Sequence, residues 1–337
     1  MKRECNPGVP PPAPLPDPEV IDTEDVFQSW KDGKIDLVCV LGPTASGKTA
    51  YAVNLCREFD RLAGKKVSEI ISADSRQVYR GMTIGTGKDL EDYGTGADAV
   101  PYHLIDIVDA GQRYDLYNYQ QDFEKVYSDI RSRGGLPVLC GGTGLYIQAV
   151  TNAYSLPAVP PDPELRAKLE EADIEELREA YAERSEVDPE VMVSKRRLIR
   201  ALEVILGSEG KPAERSSFLP KETYFIGTLV DREERNRRID RRLDARLQGG
   251  LVEEVRSLLG VDEAGCKVAE TGISAEDLFY YGLEYRYVTQ YVVGMITYDQ
   301  MRSLLGNAIH QFAKRQMTFF RGMERKGTVI HWTTPSL

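Results

Sequence analysis

The stretch Ile35-Asp36-Leu37-Val38-Cys39-Val40-Leu41-Gly42-Pro43-Thr44-Ala45-Ser46-Gly47-Lys48-Thr49 decides the fold. Its apolar run stops at Gly42, and beyond Thr49 the apolar residues Ala52, Val53, Leu55, Cys56 and Phe59 recur at helical rather than alternating spacing. The order is strand, tight loop, helix. Residues Gly42 to Thr49 fit GxxxxGK[ST], the phosphate-binding loop, in the strand-to-helix context the motif requires. The glycines let successive backbone N–H groups wrap one anion, and the helix beginning there adds roughly half a positive charge at its N-terminus. Lys48 is placed to neutralise a diphosphate oxygen and the Thr49 hydroxyl to hold Mg²⁺. The loop alone leaves open whether its ligand is a nucleoside triphosphate or a diphosphate.

Outward from this loop, short apolar runs recur at Glu69 to Ser72, Leu104 to Val108, Pro137 to Cys140 and Tyr224 to Val230, separated by helix-like segments. That alternation predicts an α/β fold, a parallel sheet with crossover helices of the P-loop type. Between Tyr154 and Ser194 strand signals vanish, and Leu165, Leu169, Ile174, Leu177 and Tyr181 fall at helical spacing in a charged background. We read residues 151–195 as a small all-helical insertion, and 34–150 with 196–333 as the catalytic core. The last third is mostly helical, with a final strand at Thr328 to Trp332. Seven of the eighteen prolines lie within the first eighteen residues, so residues 1–30 read as a disordered tail.

The net charge of −10 argues against indiscriminate nucleic-acid binding. Its distribution is uneven. Lys195, Arg196, Arg197 and Arg200, then Arg232, Arg235, Arg237, Arg238, Arg241, Arg242 and Arg246, form basic clusters that suit a local phosphate-binding face, although helix faces balanced by neighbouring carboxylates would look the same. Five scattered cysteines without a CxxC pair indicate neither a disulfide framework nor a zinc site, and no run reaches the ~20 apolar residues of a membrane span. A cytoplasmic protein, monomeric and without membrane partners, is expected.

Two further motifs follow predicted strands. In Ser72-Ala73-Asp74-Ser75-Arg76-Gln77-Val78-Tyr79, Asp74 sits where an open parallel sheet places ligand-facing residues. It suits a proton acceptor, a water-mediated magnesium ligand or a helix cap. Cys140-Gly141-Gly142-Thr143-Gly144 offers three glycines and one hydroxyl for close approach to a phosphate or base.

Taken together, GPTASGKT, SADSRQVYRGMTIGTGK (72–88), YHLIDIVD (102–109), PVLCGGTGLY (137–146), RRLIRALEV (196–204) and FAKRQMTFFRGMER (312–325) resemble the tRNA dimethylallyltransferases, in order, from about Ile35 to Trp332. The resemblance implies transfer of a dimethylallyl group from dimethylallyl diphosphate to N6 of adenosine 37, in the anticodon loop of tRNAs reading codons that begin with U. It implies that Gly42, Pro43, Thr44, Ala45, Ser46, Gly47, Lys48 and Thr49 hold the donor diphosphate with Mg²⁺ rather than ATP. It makes Asp74 the general base, Ser75, Arg76 and Gln77 contacts to the target adenosine, and Thr143 a contact to the reacting region. Arg196, Arg197, Leu198, Ile199 and Arg200 match a stretch that touches tRNA, and Arg232 and Arg238 stand where the family has diphosphate- or tRNA-binding arginines.

This chain departs from the family at Gly87, where Ala is common, at Tyr102, often His, near Ser194, where Asn or Asp is usual, and at Gly282-Leu283-Glu284-Tyr285-Arg286, where Gly-Tyr-Arg/Lys-Glu is commoner. Rival readings are an adenylate isopentenyltransferase using the same donor, a P-loop small-molecule kinase, and a non-catalytic RNA-binding module. The last leaves Lys48, Thr49, Asp74 and Thr143 together unexplained.

Overall fold

The computed structural model describes residues 15–152, 159, 162–208, 219–263, 265–269 and 272–335. Its strands are β1 (Leu37–Leu41), β2 (Ser68–Ser72), β3 (Tyr79–Arg80), β4 (Tyr102–His103), β5 (Val108–Asp109), β6 (Leu136–Gly141), β7 (Thr223–Thr228) and β8 (Ile330–Thr333). The helices are α1 (Thr23–Lys31), α2 (Lys48–Ala63), α3 (Leu116–Ser132), α4 (Gly144–Thr151), α5 (Pro163–Glu171), α6 (Ile174–Ala182), α7 (Pro189–Met192), α8 (Lys195–Gly207), α9 (Arg232–Gln248), α10 (Leu251–Leu259), α11 (Ala275–Tyr281), α12 (Leu283–Val292) and α13 (Tyr298–Arg325).

Six strands form one sheet in the order β4-β2-β6-β1-β7-β8, every pairing parallel, while β3 and β5 pair as a small separate ribbon. Because side chains alternate along a strand, a sheet covered on both faces must feed two cores. In β1, Leu37, Cys39 and Leu41 join the larger core with α3, α4 and the C-terminal helices, whereas Val38 and Val40 join a second core with α1 and α2. All five are fully buried, which is why this segment is apolar without alternation.

The strand order brings three loops together. β2, β6 and β1 are consecutive neighbours in the sheet. The segments leaving their carboxyl ends, which carry Asp74, Thr143 and the Gly42–Lys48 loop, therefore share one edge of the sheet, where open α/β sheets bind ligands.

Three expectations need correction. The tail is shorter than thirty residues: α1 starts at Thr23, capped by the Asp22 carboxylate, and buries Val26 and Phe27 against α2, while the Glu19 N–H donates to the Trp332 carbonyl at 2.7 Å. An apolar pair one helical step from a good cap was a legible helix signal that the preceding prolines masked. Residues 1–14 lie outside the described residues. The run Leu104 to Val108 is not one strand, because Leu104 and Asp106 take positive φ (62° and 57°) and make it the connection between β4 and β5, with only Val108 in a strand. Finally, the insertion extends to Gly207. Leu198, Ile199 and Leu202 of α8 pack with Leu177 and Tyr181 of α6 in a separate small core, so α8 belongs to the insertion.

Candidate active site

The loop between β1 and α2 is held from behind and open in front. Gly47 takes a left-handed conformation (φ 83°, ψ 14°) at the start of α2, where a side chain would be strained. Ser46 is fully buried, its Oγ 2.6 Å from Thr228 Oγ1 at the end of β7. The Thr44 N–H donates to Gln316 Oε1 at 2.8 Å. Thr44, Ala45, Gly47, Lys48 and Thr49 line a cavity of about 800 Å³, and Gly42, Pro43 and Ser46 form the buried support beneath. Burial draws the Lys48 ammonium below the ordinary lysine value, while Cys140 and Asp74 act in the opposite direction and Arg242 adds to the lowering.

Asp74, Ser75, Arg76, Gln77 and Thr143 line the same cavity. Asp74 Oδ1 accepts the Arg76 N–H at 2.9 Å, an Asx turn that fixes the carboxylate and leaves its second oxygen available. Both the capping and the reactive readings of this residue are thus compatible. Thr143 Oγ1 accepts the Ser75 N–H at 3.1 Å and the Thr143 N–H donates to the Ala73 carbonyl at 3.1 Å, stitching the β6 loop to the β2 loop. Gln77 Nε2 donates to the Gly87 carbonyl at 3.0 Å, and its Oε1 accepts from Ser72 Oγ at 3.2 Å, so the amide has one orientation. Arg76 leans on the rings of Tyr280 and Tyr281, 5.6 and 5.8 Å from their centroids.

The expected arginines are placed otherwise. Arg238 is tied to Glu234 at 2.9 Å, and neither it nor Arg232 lines the cavity; one and two turns beyond Arg238 on α9, Arg242 and Arg246 do. Arg242 is ion-paired with Asp89, and Arg246 with Glu284 at 3.1 Å. Leu198 and Ile199 cannot touch RNA as surface residues, because they are buried in the insertion's core. Arg200 donates to Glu203 at 2.6 Å and to the Val159 carbonyl at 2.9 Å, leaving Arg196 and Arg197 as the exposed members of that stretch.

Sequence reading missed three contributors. Glu284 is recessed in the cavity wall, and burial pushes its carboxyl above the ordinary glutamate value while Arg246 pulls it down. Tyr285 donates to Glu254 Oε1 at 2.7 Å, and the Glu254 carboxylate also accepts the N–H groups of Thr83, Ile84 and Gly85 at 2.9, 2.7 and 3.0 Å. The unusual 282–286 motif thus builds the wall behind the 83–87 loop. Its departure from the commoner form was the signal, but without the fold the partners on α9 and α10 were invisible. Gln316 is the third, and it bonds both the Thr44 N–H and the Gly142 carbonyl.

Among the described residues no helix is long and apolar enough to cross a membrane, and no group of three or more His, Cys, Asp or Glu is arranged as a metal cage. A metal here would need ligand oxygens from its substrate. That suits Mg²⁺, which keeps several waters and takes one or two protein oxygens beside phosphates, and Thr49 and Asp74 are such oxygens in the cavity wall.

An anion loop with its lysine and a fixed carboxylate, lining one cavity, define a P-loop α/β protein arranged for group transfer from a phosphorylated donor. The chain belongs to the IPP transferase family, whose sequence profile matches residues 77–323. It is 49% identical over 303 residues to a tRNA dimethylallyltransferase 2 of Bacteroides fragilis, covering 90% of this chain and 94% of that protein. A tRNA dimethylallyltransferase 1 of Parabacteroides distasonis is 46% identical over 308 residues, with 90% and 93% covered. The crystal structure of a tRNA isopentenylpyrophosphate transferase from Bacillus halodurans superposes with a TM-score of 0.58 at 31% identity, covering 89% of each chain. A eukaryotic dimethylallyltransferase acting on tRNA, at 21% identity, shares the fold with a TM-score of 0.63.

Proposed function

We propose that this protein transfers the dimethylallyl group of dimethylallyl diphosphate to N6 of adenosine 37 in tRNAs reading codons that begin with U. The observation that carries the reading is the shared cavity: the phosphate loop with Lys48, and Asp74 with Thr143 from the neighbouring loops, all line it. The donor diphosphate sits on the loop amides and Lys48, with its allylic carbon toward Asp74.

The adenine amino nitrogen is a weak nucleophile because its lone pair is delocalised into the ring. As the N6–C1 bond forms and the C1–O bond to diphosphate breaks, the N6 proton passes to the Asp74 carboxylate, a step typically worth ~10² to 10⁴ in rate. Lys48 and the loop N–H groups stabilise the negative charge growing on the departing diphosphate. When bound, Mg²⁺ on Thr49 and diphosphate oxygens would supply further charge neutralisation. Ser75, Gln77 and Thr143 orient the acceptor, which must leave its stack at a cost of a few kcal/mol. The exposed Arg196 and Arg197 of the insertion suit contacts to the tRNA backbone.

The test is to incubate unmodified tRNA carrying A36-A37-A38 with the protein, donor and Mg²⁺, digest the RNA and locate the prenylated nucleoside. Product at adenosine 37 is expected; product at another adenosine, or none, overturns the assignment.

A further inference from the structure

We infer that Gln316 is a positioning residue that sets the donor loop in register with the acceptor loops, an inference that rests on the transfer reaction proposed above. Gln316 lies on α13, is only 7% exposed and takes no part in the chemistry just described. Its two amide atoms go to two different loops: Oε1 accepts the Thr44 N–H at 2.8 Å, and Nε2 donates to the Gly142 carbonyl at 2.8 Å. Thr44 belongs to the phosphate loop. The residue after Gly142 is Thr143, whose hydroxyl accepts the Ser75 N–H and whose N–H donates to the Ala73 carbonyl, on either side of Asp74. Hydrogen bonds and the 142–143 peptide therefore link the diphosphate loop through Gln316 to the two residues that flank Asp74.

The loops could not meet so directly with other side chains. A Cβ on Gly142 would stand 2.4 Å from Gln316 Nε2, so this carbonyl meets the amide only because residue 142 has no side chain. A buried glutamine must satisfy both a donor and an acceptor, and only an amide offers both at this length. Methionine keeps the shape and neither bond. Glutamate keeps the acceptor for Thr44 but turns a repelling oxygen toward the Gly142 carbonyl unless it is protonated, when it restores both bonds.

The reaction joins two substrates held by different loops of one cavity, so its rate depends on their separation, whereas the affinity of each loop for its own substrate does not. Misplacement by about an ångström costs on the order of 10² in rate. For Q316M we expect kcat to fall about 10²-fold, with the equilibrium affinities for dimethylallyl diphosphate and for tRNA little changed. For Q316E the ratio of its kcat to wild type should climb as pH is lowered from about 8 towards about 6, since burial raises a glutamate pKa into this range, while the Q316M ratio stays flat.

The experiment is single-turnover prenylation of tRNA by the wild-type chain, Q316M and Q316E across that pH range, with donor affinity measured by titration. A Q316M protein that turns over at the wild-type rate, or whose whole loss lies in donor affinity, overturns the inference, as does a Q316E ratio flat with pH. If Q316M does not fold, the Q316E pH dependence decides. Wild-type protein that prenylates no tRNA overturns the functional reading and this inference with it, so the two failures are distinguishable.

Discussion

Replacing Glu254 with glutamine tests the wall that sequence reading missed. The carboxylate accepts four donors: Oε2 takes the Thr83 and Ile84 N–H groups, and Oε1 takes the Gly85 N–H and the Tyr285 hydroxyl. In E254Q one oxygen becomes an NH₂. The amide turns it toward Oε1's partners, because the Tyr285 hydroxyl can then accept, and the Gly85 N–H alone is orphaned. The variant loses the charge assistance of the remaining bonds and leaves the N–H of buried Gly85 unpaired, a loss of about 2 kcal/mol. The loop affected carries Gly87, whose carbonyl holds the Gln77 amide in the cavity. Chemical denaturation should therefore show the loss of stability, and steady-state kinetics should show a larger fall in kcat/KM for tRNA than for the donor. An E254Q protein with unchanged stability and unchanged tRNA kinetics would refute the reasoning, and equal losses toward both substrates would show that the loop does not serve the acceptor side.

Asp74→Asn keeps the bond to the Arg76 N–H through its remaining oxygen, so folding and both affinities should persist while kcat falls by ~10² to 10⁴; stopped-flow single turnovers at saturating substrate check this. Because burial lowers the Lys48 pKa in the free protein and a diphosphate raises it, donor binding should take up protons between the two values and weaken as pH rises through them. Calorimetry in buffers of different ionisation heat reads the uptake, which K48M should abolish. Although burial raises it, the Glu203 carboxyl is held below the ordinary value by hydrogen bonds from Arg166, Arg200 and the Asp162 N–H. Its contribution is thus full above the unfolded glutamate pKa and lost as pH falls through the folded one, and E203Q should loosen the insertion by about 2 kcal/mol, seen as faster amide exchange in α5 and α8.

The sheet was legible because β1, β2, β6 and β7 are buried on both faces and therefore read as apolar runs. The three loops were legible because glycine and hydroxyl residues follow those runs. The paired β3 and β5 were not, since two-residue strands leave no periodicity. That Arg242 and Arg246, and not Arg232 and Arg238, line the cavity was not legible, because it depends on which turn of α9 faces it. Leu198 and Ile199 show the reverse error, a family match carried over as a block although the helix turns its apolar members inward. Glu254 reaches the 83–85 loop, and Gln316 reaches Thr44 and Gly142, across more than 160 residues of sequence, beyond any local pattern.

The most direct test of the central claim is transfer of label from radiolabelled dimethylallyl diphosphate, with Mg²⁺, to three acceptors in parallel: unmodified tRNA with A36-A37-A38 in its anticodon loop, AMP and ATP. Label on the tRNA alone is expected. Label on AMP or ATP would instead make the protein an adenylate isopentenyltransferase, and label on none of them would contradict prenyl transfer itself.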